Sequence, residues 1–178
     1  MGDIEVEVRS FISKEQYERL LEFFSKKSGF LKEDDQETIY FDCKQDLRIQ
    51  RNSQFSKIWM KKGNIHDGCR EETEIRFDRD QFDNLKRLFL DLGMKVDVRW
   101  LRNRHEFDWD GLKVCLDYTR GYGFIIELET MASEEAKDDE HEKLLNRLRS
   151  LGIVPTSRHE LDARFQQYRM KWKELVGE

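Results

Sequence analysis

Glu5, Glu7 and Arg9 stand at alternate positions near the start of the chain, and charged residues recur at the same spacing throughout it. Arg48 and Gln50 form one such set, Lys57 and Lys61 the next, then Arg70, Glu72, Glu74 and Arg76, then Arg102 and Arg104, Asp117, and finally Glu127 and Glu129. Carboxylates that converge without histidine or cysteine suit hard cations, Mg²⁺ or Mn²⁺. Converging Arg and Lys suit phosphate oxygens, Arg through a two-pronged fork and Lys as a point charge. Facing one shared space, the two sets describe a site for a metal-bound polyphosphate. Without a ligand such a space is costly, because each unpaired buried ion forfeits several kcal/mol of hydration.

The elements that must position these residues are strands, because alternation has a period of two. Asp3 to Ile12 sets Ile4, Val6 and Val8 against Glu5, Glu7 and Arg9. Ser13 then caps a helix with Tyr17, Leu20, Leu21 and Phe24 on one face, ending at Gly29. Four short runs between Glu37 and Phe77 read as an antiparallel meander, followed by a helix capped by Asp80 and stopped by Gly93. Strands resume in VRWLRNRHEFDWD, LKVCLDY and FIIELET, joined at Asp110-Gly111 and at Gly121-Tyr122-Gly123. Residues 134–151 and 158–176 carry helical stripes separated by Pro155. The expected fold is α+β: an antiparallel eight-stranded β-barrel, or tunnel, with flanking helices and a C-terminal helical pair. One domain spans 1–178, strand-rich to 131 and helical from 132. If the apolar parity of the strands packs under the helices, the charged parity lines the tunnel.

Composition narrows the function classes. The chain has 178 residues, 39% of them charged, and its 12 Phe, 5 Tyr and 4 Trp supply the bulk of a folded core. A net charge of −5 gives no support to a nucleic-acid partner. No stretch approaches the length of an apolar membrane span, and MGDIEVEVRS has no leader character, so a cytoplasmic location is expected. Cys43, Cys69 and Cys115 form no C-x-x-C pair and are read as reduced and structural. His66, His105, His141 and His159 are too scattered for a histidine metal site. Gly121-x-Gly123 is a hairpin turn, and the Tyr168 and Trp172 stripe is core or a dimer contact.

Taken in order, the strand motifs resemble those of the CYTH family, the triphosphate tunnel metalloenzymes that include class IV adenylyl cyclases and thiamine triphosphatases. Glu5-x-Glu7-x-Arg9 resembles the family's ExExK, Leu47-Arg48-Ile49-Gln50 its L-R-I-R, Ile58-Trp59-Met60-Lys61 its L-T-L-K, and Glu72-Thr73-Glu74 its E-Y-E. Arg102-Asn103-Arg104 with Phe107 is similar to K-x-R-x-x-Y. Residues 116–129, LDYTRGYGFIIELE, match L-D-x-x-x-G-x-G-x-x-x-E-x-E and carry the most specific likeness. Two departures stand out: Arg9 replaces a usual Lys, and Gln50 replaces a usual second Arg. Arg51 lies on the opposite parity and reaches the tunnel only through a bulge.

The resemblance implies a small-molecule triphosphate substrate gripped in the tunnel, with Mg²⁺ or Mn²⁺ held by carboxylates from opposite walls, in a monomer or homodimer. Carried over residue by residue, Glu5, Glu7, Glu127 and Glu129 are the implied metal ligands and catalytic carboxylates. Asp117, Glu72 and Glu74 join them as further ligands or supporting groups. Arg9, Arg48, Lys57, Lys61, Arg102 and Arg104 are the implied phosphate contacts. The activity implied is hydrolysis of tripolyphosphate, thiamine triphosphate or a nucleoside triphosphate; the alternatives are cyclic AMP formation from ATP and polyphosphate binding without catalysis.

Overall fold

The computed structural model describes residues 4–62 and 69–178, without the side chains of 69 and 70, so His66, the Cys69 thiol and the Arg70 side chain lie outside the described residues. Among the described residues nine strand segments form one antiparallel sheet: β1 (Ile4–Ile12), β2 (Gly29–Phe41), β3 (Asp46–Arg51), β4 (Ser56–Lys61), β5 (Cys69–Arg70), β6 (Glu72–Phe77), β7 (Val96–Trp109), β8 (Leu112–Thr119) and β9 (Gly123–Ala132). The helices are α1 (Lys14–Lys27), α2 (Phe82–Asp91), α3 (Lys137–Ser150) and α4 (Arg158–Val176).

The order across the sheet is β5-β1-β9-β8-β7-β2-β3-β4-β6. Its two ends, β5 and β6, are consecutive in the chain and separated only by Glu71. The fifth of the eight expected strands is thus one segment interrupted at Glu71, whose first part pairs with β1 and whose second part pairs with β4. The ladder does not run unbroken around the tunnel. Across the break Lys61 of β4 bonds to Glu5 of β1 at 2.6 Å.

Alternation decides what faces outward. Val6, Val8, Val114, Leu116, Ile126 and Leu128 pack under α1 and α3 around Phe24 and Phe107. Ile39, Phe41 and Ile49 pack under α2 through Phe82. α4 behaves differently, because Phe165, Tyr168 and Trp172 pack on Val98 and Trp100, which share the inward parity of Arg102 and Arg104. Leu161 and Phe165 accordingly line the tunnel. The Tyr168 and Trp172 stripe is core, and both rings are buried.

Local signals explain most boundaries. Ser13 and Gln16 form a reciprocal cap at the start of α1, and Ser157 caps α4. Two helix ends differ from expectation. Gly29 begins β2, because Ser28 already closes α1 and the following residues pair with β7. Asp80 does not cap α2; residues Arg79–Gln81 form a 3₁₀ turn, and the fully buried Phe82 fixes where the helix begins. The hairpin at Asp110-Gly111 has positive φ at both residues, as a tight primed turn requires. At Gly121, φ is +73° and a Cβ would come within 2.6 Å of Leu175, so glycine also lets α4 approach this turn.

Candidate functional site

The inward parity of the strands brings Glu5, Glu7, Arg9, Arg48, Lys57, Lys61, Glu72, Glu74, Arg102, Arg104, Asp117, Glu127 and Glu129 to one tunnel of about 360 Å³, within the size range of small-molecule sites. β1 and β9 supply Glu5, Glu7, Glu127 and Glu129, and their register sets Glu7 opposite Glu129 and Arg9 opposite Glu127. β3, β4 and β7 supply most of the cations.

Each cation leans on a carboxylate. Arg104 donates to both oxygens of Asp117, at 2.8 and 2.7 Å, and to Glu127 at 3.0 Å. Arg102 donates to Asp117 at 3.1 Å and to the Gln36 carbonyl at 2.6 Å. Arg9 pairs with Glu7 and lies 3.4 Å from Glu127. Lys61 bridges Glu5 at 2.6 Å and Glu72 at 3.0 Å. Lys57 bonds Glu74 at 2.6 Å, and Arg76 bonds the other Glu74 oxygen at 2.8 Å. Arg48 grips Asp46 with two bonds and stacks 4.3 Å from the centre of the Tyr40 ring.

Charge converges most strongly at Glu127. Burial would raise its carboxyl, yet Arg104, Arg9, Arg102 and Lys61 outweigh burial and hold it well below the usual carboxylate range. Glu129 shifts the other way. Burial pushes its carboxyl up, Lys113 pulls it back, and Glu127 pushes it up again. Burial also lifts the Cys115 thiol well above its ordinary value, so it is neutral at physiological pH.

Lys32, Tyr40, Glu106 and Lys113 also line the tunnel and were absent from the expected set. Parity was the signal that could have found two of them: Glu106 continues the alternation of Arg102 and Arg104, and Lys113 that of Asp117. Lys113 bonds Glu129, and Lys32 lies 3.2 Å from Glu106. The Gln50 departure has a local explanation. Its amide nitrogen donates to Thr38 at 2.9 Å and Gln36 at 3.3 Å, and that same Gln36 oxygen receives Arg102. β3 pairs with both neighbours without a register shift, so Arg51 stays outside, bonded to Glu37 and Asp83.

The donor chemistry suits a hard divalent cation. The inward side of β1 and β9 offers carboxylate oxygens, and one oxygen from each of Glu127 and Glu129 lies within 4.8 Å of the other and of the Cys115 sulfur. Register places Glu7 beside the same group. Asp117 is less available, since both its oxygens are taken by Arg102 and Arg104.

The model of the CYTH domain matches residues 3–160, from the first strand through the start of the last helix. The chain belongs to the CYTH domain family. The family's fold recurs in solved structures. A Pyrococcus horikoshii protein is 25% identical with a TM-score of 0.72, over 86% of this chain and 93% of that one. A Hippeastrum protein, described as a putative adenylyl cyclase with a dominant triphosphatase activity, is 19% identical with a TM-score of 0.62, over 90% of this chain and 94% of that one. A chain of the Schizosaccharomyces pombe Mediator head module is 11% identical with a TM-score of 0.62, over 86% of this chain and 96% of that one. No curated protein sequence matches. Among the described residues no helix is long and apolar enough to cross a membrane.

Proposed function

We propose that this CYTH protein is a divalent-metal-dependent hydrolase of small triphosphates. The observation that carries the reading is the convergence of Arg104, Arg9, Arg102 and Lys61 on Glu127 inside a buried tunnel. Four cations around one carboxylate match a more highly charged anion than that carboxylate, and a polyphosphate has the oxygens to satisfy them. The triphosphatase activity described for the Hippeastrum protein supports the same reaction class.

In this reading Arg9, Arg48, Lys57, Lys61, Arg102 and Arg104 take phosphate oxygens, for which Arg9, Arg104 and Lys61 exchange their contacts with Glu7, Glu127 and Glu5. Because phosphoryl transfer spreads charge over the transferring group, preorganised cations contribute mainly by positioning and charge stabilisation. Asp117 fixes Arg102 and Arg104, and Glu72 and Glu74 orient Lys61 and Lys57. Glu5, Glu7, Glu127 and Glu129 would hold Mg²⁺ or Mn²⁺, which when bound neutralises charge on the phosphate oxygens. A carboxylate of this set accepts the proton of the attacking water. No covalent intermediate on the protein is required.

A second reading, binding without turnover, is favoured by Gln50, which leaves one inward position uncharged. Incubating the protein with Mg²⁺ or Mn²⁺ and tripolyphosphate, thiamine triphosphate or ATP separates the cases. Phosphate release identifies the hydrolase, cyclic AMP with pyrophosphate a cyclase, and saturable binding with no product a binding module. Either of the last two outcomes overturns the proposal.

A further inference from the structure

Cys115 lies on β8 between Lys113 and Asp117, on the inward parity, with Glu127 as its register partner on β9 and Glu106 on β7. It is fully buried. A free cysteine ordinarily acts as a small apolar side chain, and the partly buried Cys43 packs that way against the cluster around Phe82, its thiol donating to the Gln45 carbonyl. Cys115 does not. It joins none of the three apolar clusters and is surrounded by Arg104, Lys113, Glu127 and Glu129. Among the described residues its sulfur forms no disulfide and no hydrogen bond. That sulfur and one oxygen from each of Glu127 and Glu129 all lie within 4.8 Å of one another.

We propose that Cys115, Glu127 and Glu129 form a mixed sulfur and oxygen site for a thiophilic divalent cation such as Zn²⁺ or Co²⁺, which on binding excludes a hard ion from the same glutamates. Only the exclusion rests on the function proposed above. Three protein donors with a remaining open position are a common zinc arrangement. Thiolate binds Mg²⁺ poorly but Zn²⁺ and Co²⁺ well, so the thiol is idle towards the hard ion and decisive for the soft one. On binding, the sulfur–hydrogen bond breaks, the proton leaves to solvent and a metal–sulfur bond forms. The two carboxylates exchange Lys113 and Arg104 for the ion.

Co²⁺ is the probe, since a cobalt–thiolate bond gives a near-ultraviolet charge-transfer band and no triphosphate is needed to see it. Titrating the full chain is expected to give a band saturating at one Co²⁺ per chain. The band should vanish in Cys115→Ser and persist in the Cys43→Ser/Cys69→Ser double variant, where Cys115 is the sole thiol. Zn²⁺ affinity should fall by at least about tenfold in Cys115→Ser. No band in the wild type, or a band lost in the double variant, overturns the site even if Cys115→Ser fails to fold. A chain that hydrolyses nothing yet gives the band separates this inference from the proposed activity.

Discussion

Glu7 on β1 and Glu129 on β9 are register partners, so two carboxylates stand side by side on the tunnel wall. Like charges directly opposite one another weaken a strand pair, and Glu127 adds to the repulsion felt by Glu129. Arg9 and Lys113 offset part of it from either side. A cation between the carboxylates would offset more. Glu129→Gln and Glu7→Gln are therefore expected to lower metal-dependent phosphate release by at least about 100-fold. The circular dichroism spectrum should stay that of the wild type. Full activity in either variant removes that residue from the ligand set.

Arg104 satisfies three carboxylate oxygens at once and is buried with them. Arg104→Ala leaves Asp117 and Glu127 without their main partner, a change that costs about 3–5 kcal/mol at buried ion pairs. Urea denaturation measures it. A loss below about 1 kcal/mol would indicate that Arg102 and Arg9 compensate.

Gln50 faces the tunnel as a neutral link to Gln36, and through it to Arg102. Gln50→Arg adds a cation to a wall that already holds Arg48 and Lys57. The unliganded variant should melt at a lower temperature than the wild type, and tripolyphosphate should raise its Tm by more. An equal ligand-induced rise in both proteins would mean that position 50 lies beyond the reach of phosphate.

Glu74 reports on acid stability. Burial would raise its carboxyl, but hydrogen bonds from Lys57 and Arg76 lower it. A depressed folded-state value means the stabilisation is present above the unfolded value, about 4.3 for a free glutamate, and fades as pH falls through the folded one. Glu74→Gln should thus be less stable than wild type at pH 7, with the gap closing at lower pH. Parallel denaturant titrations across pH check this, and a gap that is constant with pH would exclude the ion pairs as its source.

Residue order alone sets which face of each strand is charged, because parity is a local property: residues two apart share a side whatever the strand later pairs with. It also determined the tight turns, since Asp110-Gly111 and Gly121 adopt backbone angles that few other residues tolerate. The inward set from Glu5 to Glu129, the family motifs and the two outward apolar faces were legible for that reason. Tertiary structure alone decided who meets whom. That Asp117 is taken up by Arg102 and Arg104, that Lys113 holds Glu129, and that Cys115 lies against Glu127 follow from strand register and side-chain reach, set by pairings between distant segments. The break at Glu71 and the place of Leu161 and Phe165 in the tunnel lining are likewise products of long-range packing. A helical stripe reports that a face is buried; only the assembled sheet supplies the surface it is buried against.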